Sequence, residues 1–326
     1  MHSAVSVTPR GHRRQLLACA LGACIIVSSA GAQQAVTPRM KPSGQAPAPA
    51  ATLERIKSAG KLKLGYLSDT RPFSYKDASG NPAGFSVAVC QKVADAIKAE
   101  PNLSGASVEW VPVSLADRFK AVKEGQVDLL CGADTETLSR RQDVDFSIPI
   151  FPGGIGALLR TDAPARLREI LNNRPPSNPT WRASAGQLLQ TQTFAVVSGT
   201  TSESWLSGKL NEFKLTAKVV PVESFDAGIQ AVLDRKADVF FTDRAVLLDA
   251  HKRNASADKL VVLDRYFTYE SLRLTLKRGD DDFRLLVDRT LSNLYRSGDL
   301  VGEYTKDFGA PDDKARTFFQ WITLPE

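Results

Sequence analysis

Two arginines stand side by side, Arg140 and Arg141, in the stretch DLLCGADTETLSRRQDVDFSIPIF (Asp128–Phe151). An apolar, strand-like run ending in Cys131 breaks at Gly132. Polar residues carry Thr135 and the arginine pair, and the chain then turns apolar again. A cation at the mouth of a buried strand calls for an anionic partner. Two other places offer matching chemistry. Thr200 and Thr201, in SGTTSE, open a helical pattern. Free N–H groups and the helix dipole favour an anion there, and a threonine at that place also serves as an ordinary N-cap. Asp243 ends the strand-like run VFFTD. The carboxyl end of a strand is a common ligand position in α/β proteins, and a salt bridge to Arg244 is the competing use.

Other chemistries have little to work with. Of three histidines, only His251 lies beyond the first 51 residues, in the polar helix-like stretch LLDAHKRNAS. One histidine without a Cys/His cluster argues against zinc, and a Ser-His-Asp triad would rest on that residue alone. The formal charge of +6 is misleading. Residues 1–51 hold five bases and no acid, so 37 bases face 36 acids in the remainder. That balance is no nucleic-acid footprint.

The amino terminus reads as a targeting segment. RGHRRQ is basic, LLACALGACIIV is apolar, and Ala30-Gly31-Ala32 supplies small residues, the pattern of a secretory signal peptide (1–32) cleaved after Ala32. Leu21-Gly22-Ala23-Cys24 offers a lipoprotein alternative with Cys24 lipidated, and Arg13-Arg14 a twin-arginine one. Residues 33–51, rich in Pro, Ala and Gln, read as a disordered tether. No later segment is apolar for the length of a membrane span. Cys90 and Cys131 remain after the leader, in an oxidising compartment, where a disulfide competes with two separately buried thiols.

Strands and helices must position these groups. KLKLGYL (Lys61–Leu67) reads as a strand. Phe85, Val89, Val93 and Ile97 mark one face of a helix over Gly84–Glu100. SVEWVPV reads as a strand, SLADRFKAVKEG as a helix closed by Gly125, and VDLLCG as a strand. The order recurs: FAVVSG, the helix TTSESWLSGKLNEF, AKVVPV, the helix SFDAGIQAVLDRK, and ADVFFTD. At an offset of 110, Ser114, Ala121, Val122 and Asp128 match Ser224, Ala231, Val232 and Asp238. The expectation is two α/β lobes on similar plans, each with a parallel sheet. The Pro- and Asn-rich stretch 162–193 reads as an insert on the second lobe, and the helix carrying Phe283, Leu286, Val287, Leu291 and Leu294 is amphipathic.

These segments, in this order over nearly all of residues 52–309, resemble the amino-acid-binding extracytoplasmic solute receptors of ABC-type importers. The resemblance implies a periplasmic-binding-protein-like α/β fold. Lobe 1 would comprise residues 52–158 plus 264–326 and lobe 2 residues 159–263, with two hinge crossings and a ligand cleft that closes. It also implies roles. Thr135 and Arg140 fall on the family's Thr-then-Arg pattern ahead of Asp145-Phe146-Ser147. Arg140 becomes the clamp for a ligand α-carboxylate, suited by its planar, permanently charged guanidinium. An ion pair of Arg140 with Asp143 or Asp145 is the competing use, and Arg141 is expected to face solvent. Thr135 would add its hydroxyl and Ala133 a backbone N–H, with Thr200 and Thr201 opposite. Asp243 would accept the α-ammonium. Phe73 would lie by the cleft wall or simply in the core.

Cys90, Cys131 and Arg118 resemble the glutamate/aspartate-binding branch, where two such cysteines bridge. Leu67 and Leu115 stand where that branch carries an Arg and a small polar residue, so the pocket here looks less charged, with Arg71 or Arg118 as compensating cations. The implied function is a periplasmic, monomeric receptor for an L-amino acid, leaning to a polar or acidic one, which docks on an ABC transporter permease. It needs no cofactor, metal or catalysis. A dehydratase on the same scaffold, using Glu136 or Glu203, and a sensory module are the alternatives.

Overall fold

The computed structural model describes residues 51–173 and 182–325, so the leader, Cys24 and nearly all of the tether lie outside the described residues. Helix α1 (Thr52–Ala59) leads into β1 (Lys61–Leu67). A short antiparallel ribbon follows, of β2 (Asp69–Thr70), β3 (Ser74–Lys76) and β4 (Pro82–Ala83). Helix α2 (Phe85–Ala99) buries Phe85, Val89, Val93 and Ile97 completely, as their spacing on one face requires. Then come β5 (Ser107–Val113), α3 (Arg118–Lys123), β6 (Leu129–Thr135) and β7 (Val144–Gly153). Helix α3 is shorter than the sequence suggests. Asp117 N–H donates to Ser114 Oγ at 3.0 Å and Ser114 Oγ donates to Asp117 Oδ2 at 2.7 Å, which locks a turn ahead of it.

The second unit holds β8 (Ile155–Arg160), α4 (Ala165–Leu171), α5 (Arg182–Gln190) and β9 (Thr193–Val197). It continues with α6 (Thr201–Glu212), β10 (Lys218–Val222), α7 (Phe225–Leu233), β11 (Val239–Asp243), α8 (Arg244–Arg253) and β12 (Leu260–Val262). The chain returns through β13 (Glu270–Lys277) and ends in α9 (Asp281–Ser297), α10 (Asp299–Phe308) and α11 (Asp313–Ile322). On α9, Phe283, Val287 and Leu291 are fully buried. In the 162–193 insert, Leu167 and Leu171 of α4 pack into the core beneath Phe194 and Leu206, and residues 174–181 lie outside the described set.

Two five-stranded sheets result, β5-β1-β6-β13-β7 in lobe 1 and β10-β9-β11-β8-β12 in lobe 2. The sheets are mixed rather than parallel. β5, β1 and β6 run parallel, as do β10, β9 and β11, while β13, β7, β8 and β12 pair antiparallel. The parallel strands follow helical crossovers. The antiparallel ones flank the passages between sheets, where no crossover imposes a direction. Because all of β8 belongs to the second sheet, the first passage lies at Gly153–Ile155 and not at residue 158.

The repeat at offset 110 has a physical content. Asp128 accepts from Lys63 N–H at 2.8 Å, at the entry of β1; Asp238 accepts from Thr193 N–H at 2.8 Å, at the entry of β9. Ser114 and Ser224 each take a backbone N–H three residues on. The carbonyls of Ala121 and Ala231 each accept two backbone N–H groups at the helix ends, from Gln126 and Val127 and from Lys236 and Ala237. Three of the four matching residues thus perform one local task twice. Cys90 of α2 and Cys131 of β6 are joined by a disulfide with 5.9 Å between Cα atoms, pinning that helix to its sheet.

Candidate functional site

A cavity of about 70 Å³ opens where the carboxyl ends of both sheets meet. By the same measure a single water needs roughly 10–15 Å³, so the space suits a compact solute and not a peptide. Leu67, Phe73, Arg118, Ala133, Thr135, Arg140, Thr200, Thr201 and Asp243 all line it. The structure therefore brings these nine expected residues together, although they differ in what their polar atoms are doing.

Strand β6 does not break at Gly132. It continues to Thr135, and that continuation carries Ala133 and Thr135 to the cleft. Arg140 follows on a single 3-10 turn, Arg140–Gln142. Its Nη1 donates to the Thr135 carbonyl at 2.7 Å and its Nη2 to the Gly199 carbonyl at 3.4 Å, while the guanidinium lies 4.8 Å over the Phe119 ring. Its alternative partners are taken: Asp143 pairs with Lys123 at 2.6 Å, and Asp145 lies 3.9 Å from Arg284. Arg140 forms no ion pair among the described residues. Burial lowers its pKa from the ordinary arginine value, partly offset by Asp134. Arg141 turns out to Glu136 at 3.4 Å with half its side chain exposed. The adjacent arginines thus part company.

Arg118 lines the cleft but each of its three nitrogens already has a protein partner. Nε meets Asp134 Oδ1 at 2.8 Å, Nη1 the Leu115 carbonyl, and Nη2 the Gly199 carbonyl at 3.4 Å. Both partners of this pair are almost fully buried. Arg71 lies 3.6 Å over the Tyr75 ring and is not among the lining residues. Neither cation is free to compensate for Leu67 and Leu115. Those two join Phe225, Val246 and Leu272 in an apolar wall. Phe73, 1% exposed, belongs first to an aromatic cluster with Phe85, Phe151 and Phe308 and touches the cleft from beneath.

On the lobe 2 side, Thr200 is the N-cap of α6. Its hydroxyl donates to the Val197 carbonyl at 2.7 Å and accepts from Glu203 N–H at 3.4 Å. Glu203 reaches back to Gly199 N–H at 2.9 Å. This is a capping arrangement, and it consumes both side chains. Asp243 caps α8, accepting from Ala245 N–H at 2.8 Å and Gly154 N–H at 3.0 Å. Arg244 turns away to Asp264 at 3.1 Å, so Asp243 keeps no cationic partner there. Burial, reinforced by the charge of Glu270, pushes the Asp243 carboxyl up to about 6 against the backbone N–H groups of Gly154, Ala245 and Val246, which lower it.

Glu270 is the lining residue that sequence reasoning missed. Its carboxylate accepts from Thr135 at 2.7 Å, Thr201 at 3.0 Å and Thr268 at 2.7 Å. Nothing in YESLRLTL marks it, because its partner Thr135 is 135 residues away. Glu136 and Glu203 are not among the lining residues, and Glu136 pairs with Arg141 and Arg273. An arrangement with one unpaired cation facing two carboxylates can hold a zwitterion: an anionic group on Arg140, a cationic one between Asp243 and Glu270.

Known proteins resemble this chain. The P. aeruginosa L-glutamate/L-aspartate-binding protein is 27% identical over 261 residues, covering 80% of each chain. The glutamate/aspartate import solute-binding protein of Escherichia coli K12 is 24% identical over 266 residues and 82% of each. Among solved structures, an ancestral amino acid-binding protein described as a precursor of cyclohexadienyl dehydratase superposes with a TM-score of 0.63 at 27% identity, over 79% of this chain and 100% of that one. The family model for bacterial extracellular solute-binding proteins, family 3, matches residues 62–310, which include both sheets apart from Lys61 and every cleft residue above. With two duplicated lobes, a cleft at the strand ends and a single unpaired arginine inside it, the chain belongs to the bacterial extracellular solute-binding proteins, family 3.

Proposed function

We propose that the protein is a periplasmic receptor that binds one L-amino acid by lobe closure and delivers it to the permease of an ABC importer, acting as a monomer. The observation that carries this is Arg140, whose guanidinium faces the cleft without an ion-pair partner among the described residues while Asp243 stands opposite without a cation. A zwitterionic amino acid supplies both missing charges. The names of the relatives, which bind glutamate and aspartate, favour an acidic side chain. The wall of Leu67, Leu115 and Phe225 favours an uncharged one as a second reading. The receptor requires no cofactor and no turnover.

A thermal-shift panel of the twenty L-amino acids, with several keto and aromatic acids, on unfolded and refolded protein tests the proposal. A ligand of the folded state raises Tm by mass action. One or a few responding amino acids support the receptor, and Arg140→Ala must abolish the response with the fold intact. A response confined to a keto or aromatic acid, with chemical turnover, would move the assignment to a dehydratase.

A further inference from the structure

Glu270 opens β13, where the chain re-enters lobe 1, and its backbone pairs with Gly153 of β7. Its carboxylate forms no ion pair among the described residues and is held by hydroxyls alone. Oε2 receives Thr135 from lobe 1 and Thr201 from lobe 2; Oε1 receives Thr268. The direction of each bond is fixed by chemistry. An ionised carboxylate only accepts, and a hydroxyl has one proton to give. Thr268 Oγ1 also accepts Ile155 N–H at 3.0 Å, so its hydroxyl takes part in bonds on both sides.

We propose that Glu270 is a positioning residue that sets the cleft's selection for an ammonium group by fixing the protons of Thr135 and Thr201. Each threonine gives its proton to Glu270, so only lone pairs face the cleft. Thr135 and Thr201 then accept from a ligand and do not donate to one. This reverses the part expected for the Thr135 hydroxyl, which was to join Arg140 in clamping a carboxylate. The ligand's carboxylate is left to Arg140 and to backbone N–H groups. Its ammonium meets a continuous acceptor surface of Thr135, Thr201, Asp243 and Glu270. A des-amino acid of the same shape would leave those acceptors buried without a donor.

The inference rests on the amino-acid reading above, and its test separates the two. Affinities are measured by calorimetry for L-glutamate, its des-amino counterpart glutarate and its decarboxylated counterpart 4-aminobutyrate. If another amino acid gives the strongest response in the panel, that acid and its own two counterparts replace them. In the wild type the des-amino acid binds at least about 100-fold more weakly than the amino acid, the scale of discrimination by buried groups left unpaired. In Glu270→Ala the freed hydroxyls rotate to donate, and that gap narrows by about tenfold or more. The gap for the decarboxylated compound, which reports on Arg140, stays as in the wild type. Glu270→Gln, which keeps the shape and gives the hydroxyls a donor as well as an acceptor, narrows the des-amino gap too and serves if the alanine variant does not fold. A wild-type protein that binds no amino acid refutes the receptor itself. Amino-acid binding with an unmoved des-amino gap in the folded variants refutes the role of Glu270 alone.

Discussion

Replacing Asp243 by Asn tests the charge logic of the cleft most directly, because pH and mutation act on the same atom. The Asp243 carboxyl is pushed up from 3.8 to about 6, burial being the main cause and Glu270 the next to raise it. That gap corresponds to about 3 kcal/mol favouring the protonated form. The sign follows. The folded state holds the proton more tightly than the unfolded chain, so this group costs nothing below pH 3.8 and destabilises progressively as pH rises to 6. A ligand ammonium docked on the carboxylate offsets that penalty by stabilising the ionised form. About nine-tenths of Asp243 is protonated at pH 5, so affinity falls about tenfold from pH 7.5 to pH 5, and binding at pH 6 releases about half a proton. Calorimetry in buffers of different ionisation enthalpy reads the proton directly. Asp243→Asn should bind more weakly at pH 7.5 and show neither slope nor proton release. Asp69, also raised by burial and by Asp226, lies outside the cleft lining, and the Asn variant separates its contribution. A wild-type profile that is flat, or a slope that survives in the variant, would refute the reasoning.

Three further outcomes are expected. Reduction of Cys90–Cys131, or Cys90→Ser, opens a cross-link between residues 41 apart. The loop-entropy account sets that loss at about 4 kcal/mol, to be read as a lower urea midpoint; an unchanged midpoint would contradict it. Gly154→Ala places a Cβ 2.2 Å from the Thr268 carbonyl at the passage between lobes. A loss of about 1–3 kcal/mol in stability together with weaker binding is expected, and wild-type Tm and affinity would refute this. Asp134→Ala leaves Arg118 buried without its carboxylate. It should cost about 3–5 kcal/mol, part of which Arg118→Met in the same chain restores; no recovery in the double variant would show that the pair is not the cause.

The sequence made the local elements and the polar cleft residues legible for related reasons. The face Phe85, Val89, Val93, Ile97 is a short-range pattern, and it forms the buried side of α2 as read. Thr135, Arg140 and Asp243 stood out because polar residues at the ends of apolar strands need an explanation. What could not be read depended on partners far along the chain. Nothing near Arg118 announces Asp134 as its buried partner, nor Gly199 as its second acceptor. Glu270 is an ordinary strand-initial glutamate until Thr135 and Thr201 fold against it. The mixed sheets escaped for the same reason: β13 inserts between β6 and β7 from more than a hundred residues away, and no local periodicity encodes that.

That insertion also governs the order in which the molecule can assemble. The second lobe is an uninterrupted segment whose two ends meet: Phe267 N–H donates to the Ile155 carbonyl at 2.8 Å. The first lobe is split, and β13, the strand that joins β7 to the rest of its sheet, emerges last of all the strands. A chain synthesised amino end first can therefore complete the second lobe before the first. Until β13 arrives, β6 and β7 have unpaired edges, the exposure that favours aggregation and binding by chaperones. Pairing Leu272 with Thr135 closes a loop of long sequence separation, the kind of contact whose entropy cost slows folding.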